Sequence, residues 1–415
     1  MNILFLVKFY QPFDRGGSEW STHDIAKLLT SRGYSVTILT PNYGYKRQQV
    51  IEKINIKRIP FPIKLKNPKG KIAPFWTNNT LWYLYSFIYC LYFCKKNKVD
   101  IIHIHSNEFI PAAVLTSFIT KIRTVVTFRD YQALCPLGFC LWDKKRACNL
   151  QAYFTKDFIF FWNNYVKNKN IVIFPLLLLA VIRAKIMQTI VKFLSKHVNL
   201  KIAVSKKVRD IFMENDIGNV EVIHNPILVS GSYKNSESTI VYVGKFSPGK
   251  GVNKLIEIIP NLLKRLKNVR IILIGSGQLE KEVKNSMKDY IKNKRVFITG
   301  QLAHEQVLKH VKQAGLVVVP SIWQEPLPRS VNEALLSATP VVATNVGGIN
   351  EVLKDGVYGS LTGTKSKKIE DGIVSVFKKR SKIKSNLLKD IKVLRKNFSQ
   401  DVVNAYINVY KNLIR

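Results

Sequence analysis

The chain has 415 residues, enough for two or three domains with ample core. Its 47% apolar and 22% charged content is that of an ordinary soluble globular protein. Lys and Arg number 65 against 27 Asp and Glu, a net charge of +38, so the surface is broadly positive and favours anionic partners: nucleic acid, anionic membrane or phosphorylated substrate.

Part of that excess is compositional, since Lys and Asn are used heavily throughout. In chain order, residues 1–7 are a short apolar run ending at Lys8, too brief for a signal peptide and followed by no small-residue cleavage site. They read as a first buried strand over 2–7. A helix is expected over 19–30, with Ser18 as N-cap and Gly33 just past its end. Strands follow over 35–40 and 54–59, then a helix over 81–96, a strand over 99–105, a helix over 111–118 and a strand over 123–128. Residues 201–204 close the set, and 220–223 form one more short strand. Alternation of this kind means a mostly parallel sheet with helices on both faces. The apolar stretches 81–94 and 171–182 fall short of the roughly 18 residues that span a bilayer, so no transmembrane helix is expected. Cys90, Cys94, Cys135, Cys140 and Cys148 all lie in the first half; an odd number in a chain without a leader argues for reduced thiols in a cytosol. The spacing of the last three matches no zinc pattern, and no His is near them in sequence, so thiols are favoured over a metal cluster.

The block 154–201 runs from aromatic (Phe154, Phe158, Phe160, Phe161, Trp162) through strongly apolar to basic and amphipathic. Ile186, Ile190, Phe193 and His197-Val198 mark one helical face, with Lys185, Lys192 and Lys196 elsewhere. Two readings stay open: an interfacial helix that docks on the inner leaflet of an anionic membrane, or packing against the first-domain sheet. The charge also allows nucleic-acid binding, but no recognition motif appears and the basic residues are scattered, so no specific nucleic acid is expected.

The second half repeats the architecture, with strands over 239–243, 269–274, 295–298, 316–319 and 340–343 and a helix over 252–267. The domain boundary falls between 205 and 238, with 230–238 as the hinge, which gives domains of 1–225 and 226–397. Residues 398–415 read as a final amphipathic helix. Ligands of open α/β sheets bind outside the carboxyl ends of the strands. Two such domains facing each other would place an active site in the cleft between them.

The segment 323–335, Trp-Gln-Glu-Pro-Leu-Pro-Arg-Ser-Val-Asn-Glu-Ala-Leu, sets two carboxylates eight residues apart across a loop-to-helix junction. Pro326 disfavours helix at Glu325, and Pro328 suits a first helical residue. Glu325 is therefore expected on the loop and Glu333 inside the helix, with the N–H groups of 329–331 pointing into the space between. A helix N-terminus binds anions and carboxylates accept from hydroxyls; anion plus hydroxyls describes a sugar nucleotide. On spacing alone, a surface helix with two solvated glutamates weighs equally. Gly244-Lys245-Phe246-Ser247-Pro248-Gly249-Lys250-Gly251 follows a strand and precedes a helix. It is not a Walker loop, because the Gly-X4-Gly-Lys-[Ser/Thr] spacing is absent. Its two lysines can neutralise a diphosphate; in isolation, a solvated basic turn is the plainer reading.

With the strand at 316–319, the strand after Pro340 and the Gly347-Gly348…Glu351 segment, the Glu-X7-Glu pair closely resembles the donor-binding motif of glycosyltransferase family 4, enzymes of the GT-B fold. The resemblance covers nearly the whole chain and is strongest from 241 to 351. It implies an α/β protein of two Rossmann-like domains facing across a cleft, with the last helix crossing back onto the first domain. It implies a retaining enzyme that moves a sugar from a UDP-, GDP- or other nucleoside-diphosphate donor to an acceptor hydroxyl. Glu333 would bind the ribose, Glu325 the donor sugar, and Lys250 and Lys245 the leaving diphosphate. Lys245 stands where the family has Arg, so charge survives but the two-pronged contact does not. Gly244, Gly275, Gly277, Leu327 and Pro328 would line the nucleotide site, and Gly16 and Gly17 would bring backbone amides to the donor phosphate. His105 would sit at a strand end near the cleft. Arg129 replaces a family His beside Asp130, the acceptor-side candidate; Arg129 cannot act as a base but could bind an anionic group. Asn225-Pro226 is a further family mark.

No Asp-X-Asp motif is present, so lysines and a helix terminus are expected to supply the positive potential without a metal or other cofactor. The implied setting is bacterial surface polysaccharide such as lipopolysaccharide, built on a lipid-linked saccharide acceptor in the cytoplasm, with peripheral docking on the inner face of the plasma membrane. A phosphorylase or epimerase relative fits the length and motifs less well. A non-catalytic adaptor for membrane or nucleic acid would bind no nucleotide.

Overall fold

Short runs of aliphatic and β-branched residues make most strands of two sheets, one mostly and one wholly parallel. The computed structural model describes residues 1–67, 70, 72–136, 138, 151, 153–159, 162, 174–229 and 238–415. These divide into two units, Met1–Pro226 with Asp401–Arg415, and Ile227–Gln400. Of the hinge expected at 230–238, all but Ser238 lies outside the described residues, as do Phe160, Phe161, Cys140 and Cys148.

In the first unit the strands are β1 (Asn2–Leu6), β2 (Ser35–Pro41), β3 (Gln48–Ile51), β4 (Ile54–Ile59), β5 (Ile101–Ile104), β6 (Arg123–Phe128), β7 (Leu200–Ala203) and β8 (Glu221–Val222). They lie in the order β3-β4-β2-β1-β5-β6-β7-β8, and β3 alone runs antiparallel to its neighbour. Described helices are α1 (Gly17–Ser31), α2 (Thr80–Lys96), α3 (Ile110–Thr120), α4 (Phe174–Ser195) and α5 (Lys206–Met213). Helix α1 begins at Gly17, earlier than expected, and Ser18 is not its cap. Gly16 holds that place with φ 154° and ψ −144°, a backbone region essentially reserved for glycine, and its carbonyl accepts from the Trp20 amide. Asn79 caps α2 by accepting from the Trp82 amide at 2.8 Å.

The second unit holds β9 (Thr239–Val243), β10 (Arg270–Ile274), β11 (Val296–Gly300), β12 (Leu316–Val319), β13 (Val341–Thr344) and β14 (Gly359–Thr362). Its order is β11-β10-β9-β12-β13-β14, parallel throughout. β12 is buried along its whole length, which is why it reads as an unbroken aliphatic run and does not alternate. The helices are α6 (Val252–Arg265), α7 (Glu280–Ser286), α8 (Lys288–Lys292), α9 (His304–Gln313), α10 (Arg329–Leu336), α11 (Ser366–Lys378) and α12 (Arg380–Phe398).

The last helix, α13 (Gln400–Ile414), starts two residues later than the pattern suggests, because Phe398 completes α12. It belongs to the first unit, where Val402, Val403, Tyr406, Ile407 and Tyr410 join the core built on β1, β2 and α1. The Tyr410 hydroxyl meets His103 Nδ1 at 2.6 Å, fastening α13 to β5. No helix among the described residues is long and apolar enough to cross a membrane.

Candidate functional site

In the second unit the strand order reverses between β9 and β12, the switch point where open α/β sheets bind ligands. The loops leaving these two strands are 244–251 and 320–328, the two segments singled out from sequence. Backbone contacts weld them together. The amides of Ile322 and Trp323 both donate to the Gly249 carbonyl, at 3.0 and 3.3 Å. Gly251 has φ 69°, and a Cβ there would lie 1.7 Å from the Pro320 carbonyl oxygen, so only glycine allows the approach. On the other side, Gly244 N donates to Ile274 O, and Phe246 N to Ser276 O at 2.9 Å, so the Gly275-Ser276-Gly277 turn is tied to the same loop.

This frame brings Lys250 onto Glu325. The ammonium donates to both carboxylate oxygens, at 2.7 and 2.9 Å, and lies 4.8 Å from the centre of the Trp323 ring. Glu325 has 2% side-chain exposure and also accepts from Ser321 Oγ at 2.5 Å and Trp323 Nε1 at 2.8 Å. Gly348 N donates to the Glu325 carbonyl at 2.8 Å, which gives the glycine pair after β13 its place beside the site. Lys245 is exposed at the loop surface, and its carbonyl accepts from Tyr242 Oη at 3.0 Å.

Pro328 is the N-cap of α10, not its first helical residue: its ψ of 118° is extended, so the helix starts at Arg329. Leu327 and Pro328 are buried beneath the turn. The Val331 amide turns back onto the Pro328 carbonyl at 3.2 Å and does not point outward as expected. Glu333 lies inside α10 with 2% exposure. Its Oε1 accepts from Arg329 Nε at 2.6 Å and is 2.7 Å from His304 Nε2. Burial raises the Glu333 carboxyl, but the Arg329 guanidinium and the His304 contact outweigh it and hold the pKa below the usual carboxylate range. Ser321, Trp323, His304 and Arg329 were not picked out as site residues from sequence. Arg329 follows the helix start at i to i+4 spacing from Glu333, a signal that could have found it; His304 comes from another element, and nothing near it in sequence marks it.

In the first unit the corresponding reversal lies between β1 and β5. His105 follows β5 on the same side as His103, as alternation requires, with ring centres 4.0 Å apart. Burial, then the neighbouring His103 and Arg129, keep His105 well below its ordinary pKa, so it is a neutral imidazole at pH 7. Arg129 follows β6, and its Nε donates to Asn225 Oδ1 at 3.0 Å and its Nη1 to Thr22 Oγ1 at 2.8 Å. It thus ties β6 to α1 and to the Asn225-Pro226 turn. Asp130 Oδ1 accepts from the Gln132 amide at 2.9 Å and Asn107 Nδ2 at 3.2 Å. Burial pushes the Asp130 carboxyl up to about 6, with the Glu108 charge adding. Glu19, two residues into α1 beyond Gly17, is pushed up to about 7 by burial and by Asp14, against the pull of Arg129 and Arg15. Sequence reading did not single it out. The cavity lined by Asn2, Thr37, Asn55 and Lys98 opens toward the amino ends of these strands, away from the His105 and Arg129 edge.

Among the described residues no group of three or more His, Cys, Asp or Glu is arranged to hold a metal ion. Cys90 and Cys94 are buried free thiols, and Cys135 is buried as well.

The family model described as Glycosyltransferase Family 4 matches residues 15–230, more than half of the chain, and that described as Glycosyl transferases group 1 matches residues 230–392. The chain belongs to glycosyltransferase family 4. An uncharacterized glycosyltransferase of Methanocaldococcus jannaschii is 29% identical over 179 residues, 42% of this chain. The matched stretch spans 45% of that relative, about half its length. A component of the human phosphatidylinositol N-acetylglucosaminyltransferase is 24% identical over 86% of this chain and 64% of its own. The crystal structure of Anabaena HepE in complex with UDP and glucose superposes with a TM-score of 0.65 at 20% identity, covering 99% of both chains. Likeness at that identity shows the fold, which is GT-B.

Proposed function

We propose that the protein is a retaining glycosyltransferase that moves a sugar from a nucleoside-diphosphate donor to a hydroxyl of a lipid-linked saccharide, in assembly of a bacterial surface polysaccharide. The observation that carries the donor half is the Lys250–Glu325 pair, set at the switch point of the second unit beside Glu333. Glu325 binds hydroxyls of the donor sugar and Glu333 those of the ribose. An ammonium has three N–H donors; two meet Glu325, and the third is directed to a diphosphate oxygen. Lys245 adds a second charge from the exposed rim of the loop. As the bond between the sugar C1 and the diphosphate oxygen breaks, negative charge grows on the leaving phosphate, where fixed cations lower the barrier most. The acceptor oxygen forms its bond to C1 on the face the diphosphate leaves, and its proton passes to a departing phosphate oxygen. No protein nucleophile is required. Asp130 and His105 belong to the acceptor side.

HepE is described with UDP, so a uridine diphosphate sugar is the first donor to try. The human relative is named for a phosphatidylinositol acceptor, in keeping with an acceptor that carries a lipid. Release of nucleoside diphosphate from a panel of UDP-, GDP- and ADP-sugars, with a bacterial lipid-linked saccharide extract as acceptor, tests the reading. Extract-dependent release from one donor is expected, with the anomeric configuration of that donor kept in the product. Lys250→Ala should lower the rate on the order of 100-fold or more. EDTA should leave it unchanged, because lysines supply the positive potential. Inversion at C1 would overturn the retaining assignment, and loss of activity in EDTA that Mg²⁺ restores would overturn metal independence.

A further inference from the structure

Three helices of the first unit share an unusual composition. None of the 17 residues of α2, the 11 of α3 or the 22 of α4 is Asp or Glu. The helices lie side by side, with α3 packed against both α2 and α4. Each has a buried face: Trp82, Ser86, Cys90 and Phe93 on α2, Ala112, Ala113 and Thr116 on α3, Met187, Val191 and Ser195 on α4. The opposite face is apolar as well, and it is exposed. On α2 it carries Leu81 (78% exposed), Leu84, Ile88 and Tyr92, one stripe at helical spacing. On α3 it carries Leu115, Phe118 and Ile119, and on α4 Leu179, Ile182, Ile186 and Phe193. The face expected from sequence on α4 is therefore the outward one at Ile186, Phe193 and His197, whereas Val198 turns inward.

The cations are not spread over this face. Each helix leads directly into its strand, α2 into β5, α3 into β6 and α4 into β7, and these strands are parallel neighbours. The carboxyl ends of the three helices consequently lie along one edge. There stand the exposed Lys95, Lys96, Lys98, Lys121, Arg123 and Lys196. The carboxylate in these connecting turns, Asp100, is turned inward and accepts from the Asn2 amide at 2.7 Å. A helix apolar on both faces needs a second apolar medium on its outer side. A basic rim along one edge needs an anionic one.

We propose that the outer face of α2, α3 and α4 docks on an anionic lipid bilayer, with the apolar stripes in the interface and the lysine edge among the headgroups. Large apolar side chains beside a cationic edge are the chemistry of an interfacial protein surface. This surface uses none of the residues assigned to sugar transfer, and it stands whether or not the acceptor is lipid-linked.

The test is flotation of the whole chain with phosphatidylcholine vesicles, with and without about a third phosphatidylglycerol, at low and high salt. Binding to the anionic vesicles, weakened at least tenfold by Ile88→Glu combined with Phe193→Glu, is expected. Lys96→Gln with Lys121→Gln and Lys196→Gln should weaken binding at low salt only. All of these residues are exposed, so the variants should melt as the parent does, and nucleotide titration of the same samples checks the donor site separately. Absence of flotation with anionic vesicles, or flotation that the apolar variants do not alter, would overturn the proposal. So would a dimer in light scattering that Ile88→Glu with Phe193→Glu dissociates, because a second copy would then cover the face.

Discussion

At the residue scale the strongest arrangement is Glu325, a carboxylate at 2% exposure held by one ammonium, one hydroxyl and one indole N–H. Removing one partner of a buried charge costs more than removing both, because the survivor is left without its counter-charge. Lys250→Met should destabilise the second unit by about 2 kcal/mol in urea unfolding, and adding Glu325→Gln should return part of that loss. If Lys250→Met unfolds as the parent does, the pair is not what holds these loops. Asp130 gives a pH-dependent counterpart. Its folded pKa is raised to about 6 from an ordinary 3.8, so the folded state binds the proton more tightly than the unfolded chain. Stability from this group is full below the unfolded value and is lost as pH rises through about 6. Asp130→Asn, which keeps a carbonyl oxygen to accept from Gln132 and Asn107, should therefore gain on the parent between pH 4 and pH 7.5, by up to about 3 kcal/mol. A difference that does not change with pH would show that Asp130 ionises freely. Spacing and loop chemistry were enough to mark Glu325, Glu333 and Lys250. Ser321, Trp323 and His304 were out of reach, since their roles depend on which loops the sheet brings together.

At the element scale, two glycines respond differently to a methyl group. Gly251 has φ 69° and the Pro320 carbonyl in the way of a Cβ, whereas Gly16 has φ 154° and nothing within 4 Å. Gly251→Ala must separate two welded loops and should cost about 3 kcal/mol or more, with donor binding lost. Gly16→Ala meets backbone strain alone and should cost about 1–2 kcal/mol. Equal losses in thermal unfolding would contradict the packing argument. Most strands were legible to within a residue or two, because buried parallel strands are written as aliphatic runs. β3 was not. It is an exposed edge strand joined to β4 by Glu52-Lys53, both at positive φ, in place of the Asn-Gly or Asp-Gly pair that signals such a turn. β14, Gly359–Thr362, is equally silent: four residues opening on glycine, with little aliphatic content. The first turn of α1 was misread for a related reason, since the glycine conformation at 16 sets the start and Ser18 does not.

For the molecule as a whole, two parallel α/β units and a last helix returned to the first were readable from alternating elements and one motif, and the fold and family agree with that reading. Composition said only that the surface is positive. The ordering of that charge, a lysine edge beside an apolar three-helix face, depends on the parallel order of β5, β6 and β7, which no local pattern encodes. The proposed function requires the second unit to hold a nucleoside diphosphate between the lysine loop and Glu333. Calorimetric titration of UDP, GDP, ADP and CMP into the whole chain, beside Lys250→Ala and Glu333→Ala, tests it most directly. Saturable binding of one nucleoside diphosphate, weakened at least tenfold in each variant, is expected; folded protein that binds none of the four, or binding that both variants retain in full, would contradict it.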